Sequence, residues 1–281
     1  MSLDAPKPVH TGPLTLITAQ HMPSQAVEDL WSSLAQYQVW WQFALHEIRQ
    51  RFRRSVLGPL WITLSMGIWV SALGLVFTML FNQPVAELLP YIATGIIFWG
   101  FLTTSLTDGA TVFIGNDAYI RNVPLPLLFH LFRMLARNLI ILALNMVIFV
   151  IIGVIFGFHL NWMSLTFFPG FVLFTFNVAW MSLACGILST RYRDIPPVIQ
   201  NVLQVVFFVT PIFWSVEALP RRPAFVELNP VYDMLQIVRA PLLGGDFPLR
   251  AWIVCLVMAL VGGVLTLMLY RRVYARIAYW V

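Results

Sequence analysis

Arg51, Arg53 and Arg54 fall within the stretch RFRRSVLGPLW at residues 51–61, just before a long apolar run. Guanidinium groups stay charged and fork onto phosphate or carboxylate oxygens. The cluster therefore suits an anion: a nucleic-acid backbone, a lipid headgroup, or a docking face on another protein. Few other groups can do chemistry. Lys7 is the only lysine, so the chain cannot build a G-x-x-x-x-G-K-[ST] phosphate loop of its own. His10, His21, His46, His130 and His159 are not paired at metal-ligand spacing, and no metal site is expected. Cys185 and Cys255 each sit alone in apolar runs, as small hydrophobes do. No two carboxylates share a helix face within the apolar runs, and no Ser/His/Asp set stands out. A membrane enzyme acting on headgroups needs such acids or bases. Asp108 is the one acid inside an apolar segment, at its far end. It reads either as an interfacial carboxylate or as the proton relay of an ion-coupled carrier.

The elements that position these groups follow from composition. The chain has 281 residues, 59% hydrophobic and 10% charged, against about 25% charged in soluble domains. So apolar a chain needs lipid around it. A hydrocarbon layer of about 30 Å takes about 20 apolar helical residues, and six segments qualify: 58–81, 88–108, 138–158, 163–188, 196–216 and 251–270. The expected fold is all-α, a polytopic membrane protein with six transmembrane helices. With both termini on the cytoplasmic side, 13 of the 17 basic residues fall inside, as the charge bias of cytoplasmic loops requires. Nucleic acid is then an unsuitable partner, since no basic water-soluble domain is present.

Residues 1–27 carry Pro6, Pro8, Pro13 and Pro23 and no basic–apolar leader pattern. They read as a flexible cytoplasmic tail, and 28–281 as the transmembrane domain. Within 28–54, Leu30, Leu34, Tyr37, Trp41, Leu45, Ile48 and Phe52 step by three and four, one stripe of a helix. It reads as an amphipathic helix in the plane of the membrane interface, or else one packed on a partner. Residues 115–138 hold Pro124 and Pro126 and read as a short helix, a proline break and the base of the third span. The 215–250 loop has apolar pieces too short to cross. It reads as a re-entrant gate at the outer mouth, or as a plain loop. The G-x-x-x-G of Gly153 and Gly157 is a weak sign of close helix packing. Asn and Gln residues in the spans, among them Gln200 and Gln204, accompany dense aromatics. They suit an uncharged hydroxyl-rich ligand such as a sugar chain, or simply interhelical bonding and core filling.

Five stretches resemble the permease subunits of bacterial polysaccharide-export ABC transporters, the type 2 exporters of O antigen, capsule and teichoic acid. They are RFRRSVLGPLW (51–61), AYIRNVPLP (118–126), RYRDIPPVIQ (191–200), TPIFW (210–214) and LNPVYDMLQIVRAPLLGG (228–245). The likeness runs from about residue 28 to 281. The family often carries a lysine-rich Phe-Pro version of the second stretch, where this chain has Asn122 and Leu125-Pro126. The resemblance implies a homodimer of six-span chains in the bacterial inner membrane. Two copies of a separate ATPase bind ATP and Mg, so this chain needs no cofactor and is not an enzyme. It implies a lipid-linked polysaccharide as cargo, O antigen foremost, in lipopolysaccharide biosynthesis. Arg51, Arg53 and Arg54 would contact membrane headgroups or the carrier lipid. Tyr119, Ile120 and Arg121 would dock the ATPase, with Arg191 and Asp194 behind them. Trp69, Trp99, Phe207, Phe213 and Trp214 would line the conduit and gate. An ABC permease for a small lipid or drug, and an ion-coupled secondary carrier, are the alternatives.

Overall fold

The computed structural model describes residues 22–157, 161–214 and 224–281, and every regular element among them is helical. Most of the expected tail, and residues 215–223 of the expected gate loop, lie outside the described residues. The elements are α1 (Met22–Ala35), α2 (Tyr37–Arg51), α3 (Leu60–Phe81), α4 (Val85–Thr111), α5 (Asp117–Asn122), α6 (Leu127–Phe156), α7 (Phe167–Arg191), α8 (Ile195–Val209), α9 (Ala224–Glu227), α10 (Pro230–Leu242) and α11 (Leu249–Trp280). A 3-10 turn, Trp162–Thr166, leads into α7.

Five helical segments are long and apolar enough to cross a membrane: α3, α4, α6, the 162–191 segment containing α7, and α11. The segment expected as a fifth of six spans is instead the 15-residue α8. At 1.5 Å per residue it reaches about 22 Å, short of a hydrocarbon layer of about 30 Å. It stops because Thr210 turns to extended backbone before Pro211, which cannot continue the amide ladder. The expected interface helix is two helices, since Gln36 leaves helical geometry with ψ of 27°. Helix α1 begins at Met22, within the stretch read as tail. The base of the third span begins at Leu127, directly after the expected proline break.

Helix α4 is the centre of the bundle. Its span is buried on most sides, while α3 and α11 leave most of theirs uncovered. It packs on α7, α6, α3, α8 and α10. Close approach to α7 depends on small residues, because a Cβ on Gly109 would lie 2.9 Å from Ser182 Cα and one on Gly186 would lie 2.8 Å from the Gly109 carbonyl. Ser182 adds a hydrogen bond to the Ser105 carbonyl at 2.9 Å. Removing water removes the alternative partner for such groups, so the bond both satisfies the hydroxyl and fixes the crossing. Gly157 of the G-x-x-x-G pair does not pack in this way: it caps α6 with φ of +90°, and a Cβ there would meet nothing.

Candidate functional site

One end of the bundle collects most of the charge. Leu127 and Leu128 open α6 after Pro126, which offers no side-chain cap, so their amides need an acceptor from elsewhere. Asp29 of α1 supplies it, with Oδ1 2.7 Å from the Leu127 nitrogen and Oδ2 3.0 Å from that of Leu128. Tyr270 donates to Oδ2 at 2.8 Å and Tyr274 to Oδ1 at 3.1 Å. The carboxylate is buried and has four donors, so its charge is fully met by hydrogen bonds. Beside it, Glu47 of α2 pairs with Arg133 at 3.0 Å and Arg137 at 2.9 Å, and Arg137 reaches Asp108 at 2.7 Å. Asp108 also accepts from Asn138 at 3.2 Å. The acid singled out in the sequence is thus one member of an ion-pair network that ties α2 to α4 and α6.

Two clefts adjoin this network and share Arg51, Thr104 and Ile141 in their walls. The larger, of about 720 Å³, is lined by Glu47, Asp108 and Arg137. The other, of about 570 Å³, runs along α3 past Trp61, Ser65 and Trp69 to Asn145. Arg51 therefore faces a cleft that holds carboxylates as well as a guanidinium, while Arg53 and Arg54 are exposed on the turn before α3.

The aromatic set divides. Trp99 lies 5.6 Å from Phe207, Phe207 lies 5.7 Å from Phe213, and Phe213 stacks on Phe77 at 4.6 Å. Trp99 and Phe207 also line a cleft of about 390 Å³ between α4 and α8, together with Thr103, Thr107, Gln200 and Gln204. Trp69 is apart from them, in the α3 cleft. Trp214 is half-buried and has no ring contact to the set among the described residues. On α8 only Leu203 is buried. Its exposed surface includes Gln200, Asn201 and Gln204 among valines and phenylalanine.

The opposite end is held by α10. Arg239 is 1% exposed and donates to the carbonyls of Pro211 at 2.8 Å and Ile212 at 3.4 Å, with its guanidinium 4.0 Å from the centre of the Tyr91 ring. Tyr91 donates to the same Pro211 carbonyl at 3.2 Å. Asn229 caps α10 and also donates to Thr210 Oγ1 at 2.9 Å. The unwound end of α8 is thereby satisfied by α10. Asp233 on α10 is buried, and burial pushes its carboxyl above the ordinary range, a shift that Arg250 opposes.

The residues expected to dock a partner share the charged end. Arg121 of α5 donates to the Val281 main-chain oxygen at 2.5 Å, and Arg193 donates to that of Trp280 at 3.2 Å. The Arg191 guanidinium lies 5.3 Å from the Trp280 ring. The end of α11 thus links α5 to the α7–α8 turn. Tyr119 and Asp194 are exposed and Ile120 is half-buried. Among the described residues, no group of three or more His, Cys, Asp or Glu is placed to hold a metal ion.

Residues 38–243 match the family described as ABC-2 type transporter. The chain belongs to that family. As an ABC-2 type transporter with several apolar helices, it is a multi-pass membrane transport subunit. It is 24% identical over 199 residues to the O-antigen export system permease protein RfbA of Myxococcus xanthus, covering 69% of this chain and 76% of that protein. It is 22% identical over 194 residues to a protein of the same name from Klebsiella pneumoniae, covering 67% and 74%.

Sequence reasoning missed Asp29, Glu47 and Arg239. Asp29 had a signal, since Ala26 and Ser33 share its helix face at spacings of three and four and leave room for a tight approach. Arg239 had a plainer one, as the lone cation in the apolar run MLQIVRAPLL.

Proposed function

We propose that this chain is the permease of an ATP-driven exporter that moves a lipid-linked polysaccharide, O antigen foremost, across the bacterial inner membrane. Two copies form the conduit, and two copies of a cytoplasmic ATPase drive it, as ABC-2 permeases normally work with an ATPase subunit. Both termini lie on the cytoplasmic side. The observation that carries the conduit is the uncovered face of α8. Gln200, Asn201 and Gln204 are exposed on it, and amides facing lipid are costly unless a partner or water meets them. A second copy of the chain, enclosing a wet path, meets that need. Gln200, Gln204, Thr103 and Thr107 beside the Trp99 and Phe207 rings then offer hydrogen bonds and stacking faces to passing sugar rings. The two named relatives, each an O-antigen export permease, support the cargo class.

In this reading Arg53 and Arg54 contact headgroups or the carrier lipid, and Arg51 faces the adjoining cleft. Tyr119, Ile120 and Arg121 meet the ATPase with Arg191 and Asp194 behind them, and α10 closes the outer mouth over Phe213 and Trp214. The test is purification from the native host in mild detergent, with mass spectrometry of what accompanies the chain. A stoichiometric subunit with a phosphate-binding loop is expected, and polymer should accumulate inside cells that lack this chain. A dimer alone, in cells whose surface polymer is unchanged by deletion, would overturn the proposal.

A further inference from the structure

A cleft of about 560 Å³ opens between α7 and α11 at the charged end of the bundle, with no residue of α3 or α8 in its lining. Its walls are apolar, with Leu269 and Val273 among them, and its charged residues are Arg191 and Arg276, with no carboxylate. That sets it apart from the cleft beside α2, where Glu47 and Asp108 neutralise Arg137. All three ion pairs among the described residues use Arg133 or Arg137, so neither Arg191 nor Arg276 has an acidic partner there. The Arg191 guanidinium lies 5.3 Å from the centre of the Trp280 ring, a cation–π contact that still allows its N–H groups to donate to an anion.

The setting selects the ligand. Two guanidiniums beside one cleft fit a phosphate. Tyr279 is 88% exposed, and tyrosine and tryptophan favour headgroup depth. Leu188 of α7 lines the cleft and is exposed, and Leu265 and Met268 lie exposed on the preceding turns of α11, apolar surface that suits acyl chains and has no use for a free anion. We propose that this cleft binds an anionic phospholipid, its phosphate held by Arg191 and Arg276 and its chains along α7 and α11. The site is independent of the exported cargo. It places a lipid behind the proposed ATPase-docking residues, because Arg193 and Arg121 tie the same end of α11 to the α7–α8 turn and to α5.

The test uses the purified full chain with its partner subunit, washed free of lipid and titrated with phosphatidylglycerol or phosphatidylcholine in native mass spectrometry. Wild type should prefer phosphatidylglycerol. An arginine that meets the bound phosphate directly contributes about fivefold, more than one whose charge reaches it only through screening water, so Arg191→Gln with Arg276→Gln should cut the preference roughly 25-fold. Arg271→Gln with Arg272→Gln, on the same helix but outside the cleft, should change it far less. If the first pair fails to fold, Arg276→Gln alone should give about fivefold. Equal binding of the two lipids by wild type, equal losses in both double variants, or displacement of phosphatidylglycerol by millimolar inorganic phosphate would each overturn the proposal. Partner retention is read in the same spectra, so failure of the lipid site and failure of ATPase docking are told apart.

Discussion

Asp29 and Tyr270 are joined by a 2.8 Å hydrogen bond across 241 positions of sequence, and the same carboxylate caps α6. One side chain therefore couples α1, the start of α6 and the end of α11. Asp29→Ala removes a cap worth about 1 kcal/mol and strands buried donors at about 1–3 kcal/mol. A total loss near 3 kcal/mol is expected, a drop of roughly 10 °C in thermal midpoint. Asp29→Asn keeps one acceptor oxygen and should fall between. Tryptophan fluorescence on heating reads both. An unchanged midpoint in Asp29→Ala would show that water replaces the carboxylate.

Arg239 is the corresponding fastener at the other end. Arg239→Gln leaves the Pro211 and Ile212 carbonyls short of a charged donor, a loss of about 2 kcal/mol. Arg239→Lys keeps the charge but loses the planar fork and its stacking on Tyr91, so it should not rescue. Gly95→Ala should mimic the loss, since a Cβ there would lie 2.1 Å from Arg239 Nη2 and 2.7 Å from the Ile212 carbonyl. Hydrogen exchange is the readout: α10 amides should exchange faster in Arg239→Gln and Gly95→Ala, while α4 amides stay protected. Protection of α10 equal to wild type would mean the latch is dispensable.

How much of this was legible follows from periodicity and its limits. Long apolar runs mark α3, α4, α6, α7 and α11, because a lipid-facing helix must be apolar over its whole length. The run at 196–216 looks the same by composition, yet Thr210 and Pro211 end the helix early, and only the fixing of that end by Arg239 and Asn229 makes the break tolerable. The stripe of α2 runs on from that of α1 in the sequence, since the kink at Gln36 leaves no mark in hydropathy. Trp99, Phe207 and Phe213 share one run of ring contacts, whereas Trp69 and Trp214 lie apart from it, because density of aromatics carries no information on which helix face each ring occupies. Asp29 and Glu47 escape because their partners lie far off in sequence, 90 positions away for Glu47 and Arg137 and 245 for Asp29 and Tyr274.

Gln200 and Gln204 make a cleaner test of the proposed path than the tryptophan does. Trp99 is 7% exposed, so Trp99→Ala mixes lost packing with lost transport. The glutamines are exposed, and replacing them with leucine should leave the stability within about 0.5 kcal/mol of wild type. Export of polymer should nonetheless slow several-fold, measured as surface polymer appearing after induction. Normal export by the stable double variant would remove α8 from the path.

Asp108 is the one acid on which an ion-coupled carrier could have rested, and membership of the ABC-2 family removes that reading. Its carboxylate pairs with Arg137 at 2.7 Å, and both side chains are about one-third exposed, at 34% and 29%. A pair so open to water contributes about 1 kcal/mol or less. Asp108→Asn should therefore cost little stability and leave export within about twofold of wild type, with no new pH dependence. Abolished transport in a folded Asp108→Asn protein would mean that the pair with Arg137 is a working part of the transport cycle.

Asp233 gives the outer end a pH signature. Burial raises its carboxyl above the ordinary range, and Arg250 offsets only part of that. The folded protein therefore holds the proton more tightly than the unfolded chain does. The stabilising contribution of protonation is complete below the unfolded carboxyl value of about 3.9 and is lost as pH rises through the raised folded value. At neutral pH the ionised group is a net burden on α10. Asp233→Asn should then raise the thermal midpoint at pH 7. The gap between variant and wild type should narrow on acidification through the window between the two carboxyl values, where wild type regains its proton. Midpoints measured from pH 7 down to 4 in one detergent check this. A gap that stays constant over that range would mean Asp233 is as well solvated in the folded protein as in the unfolded chain.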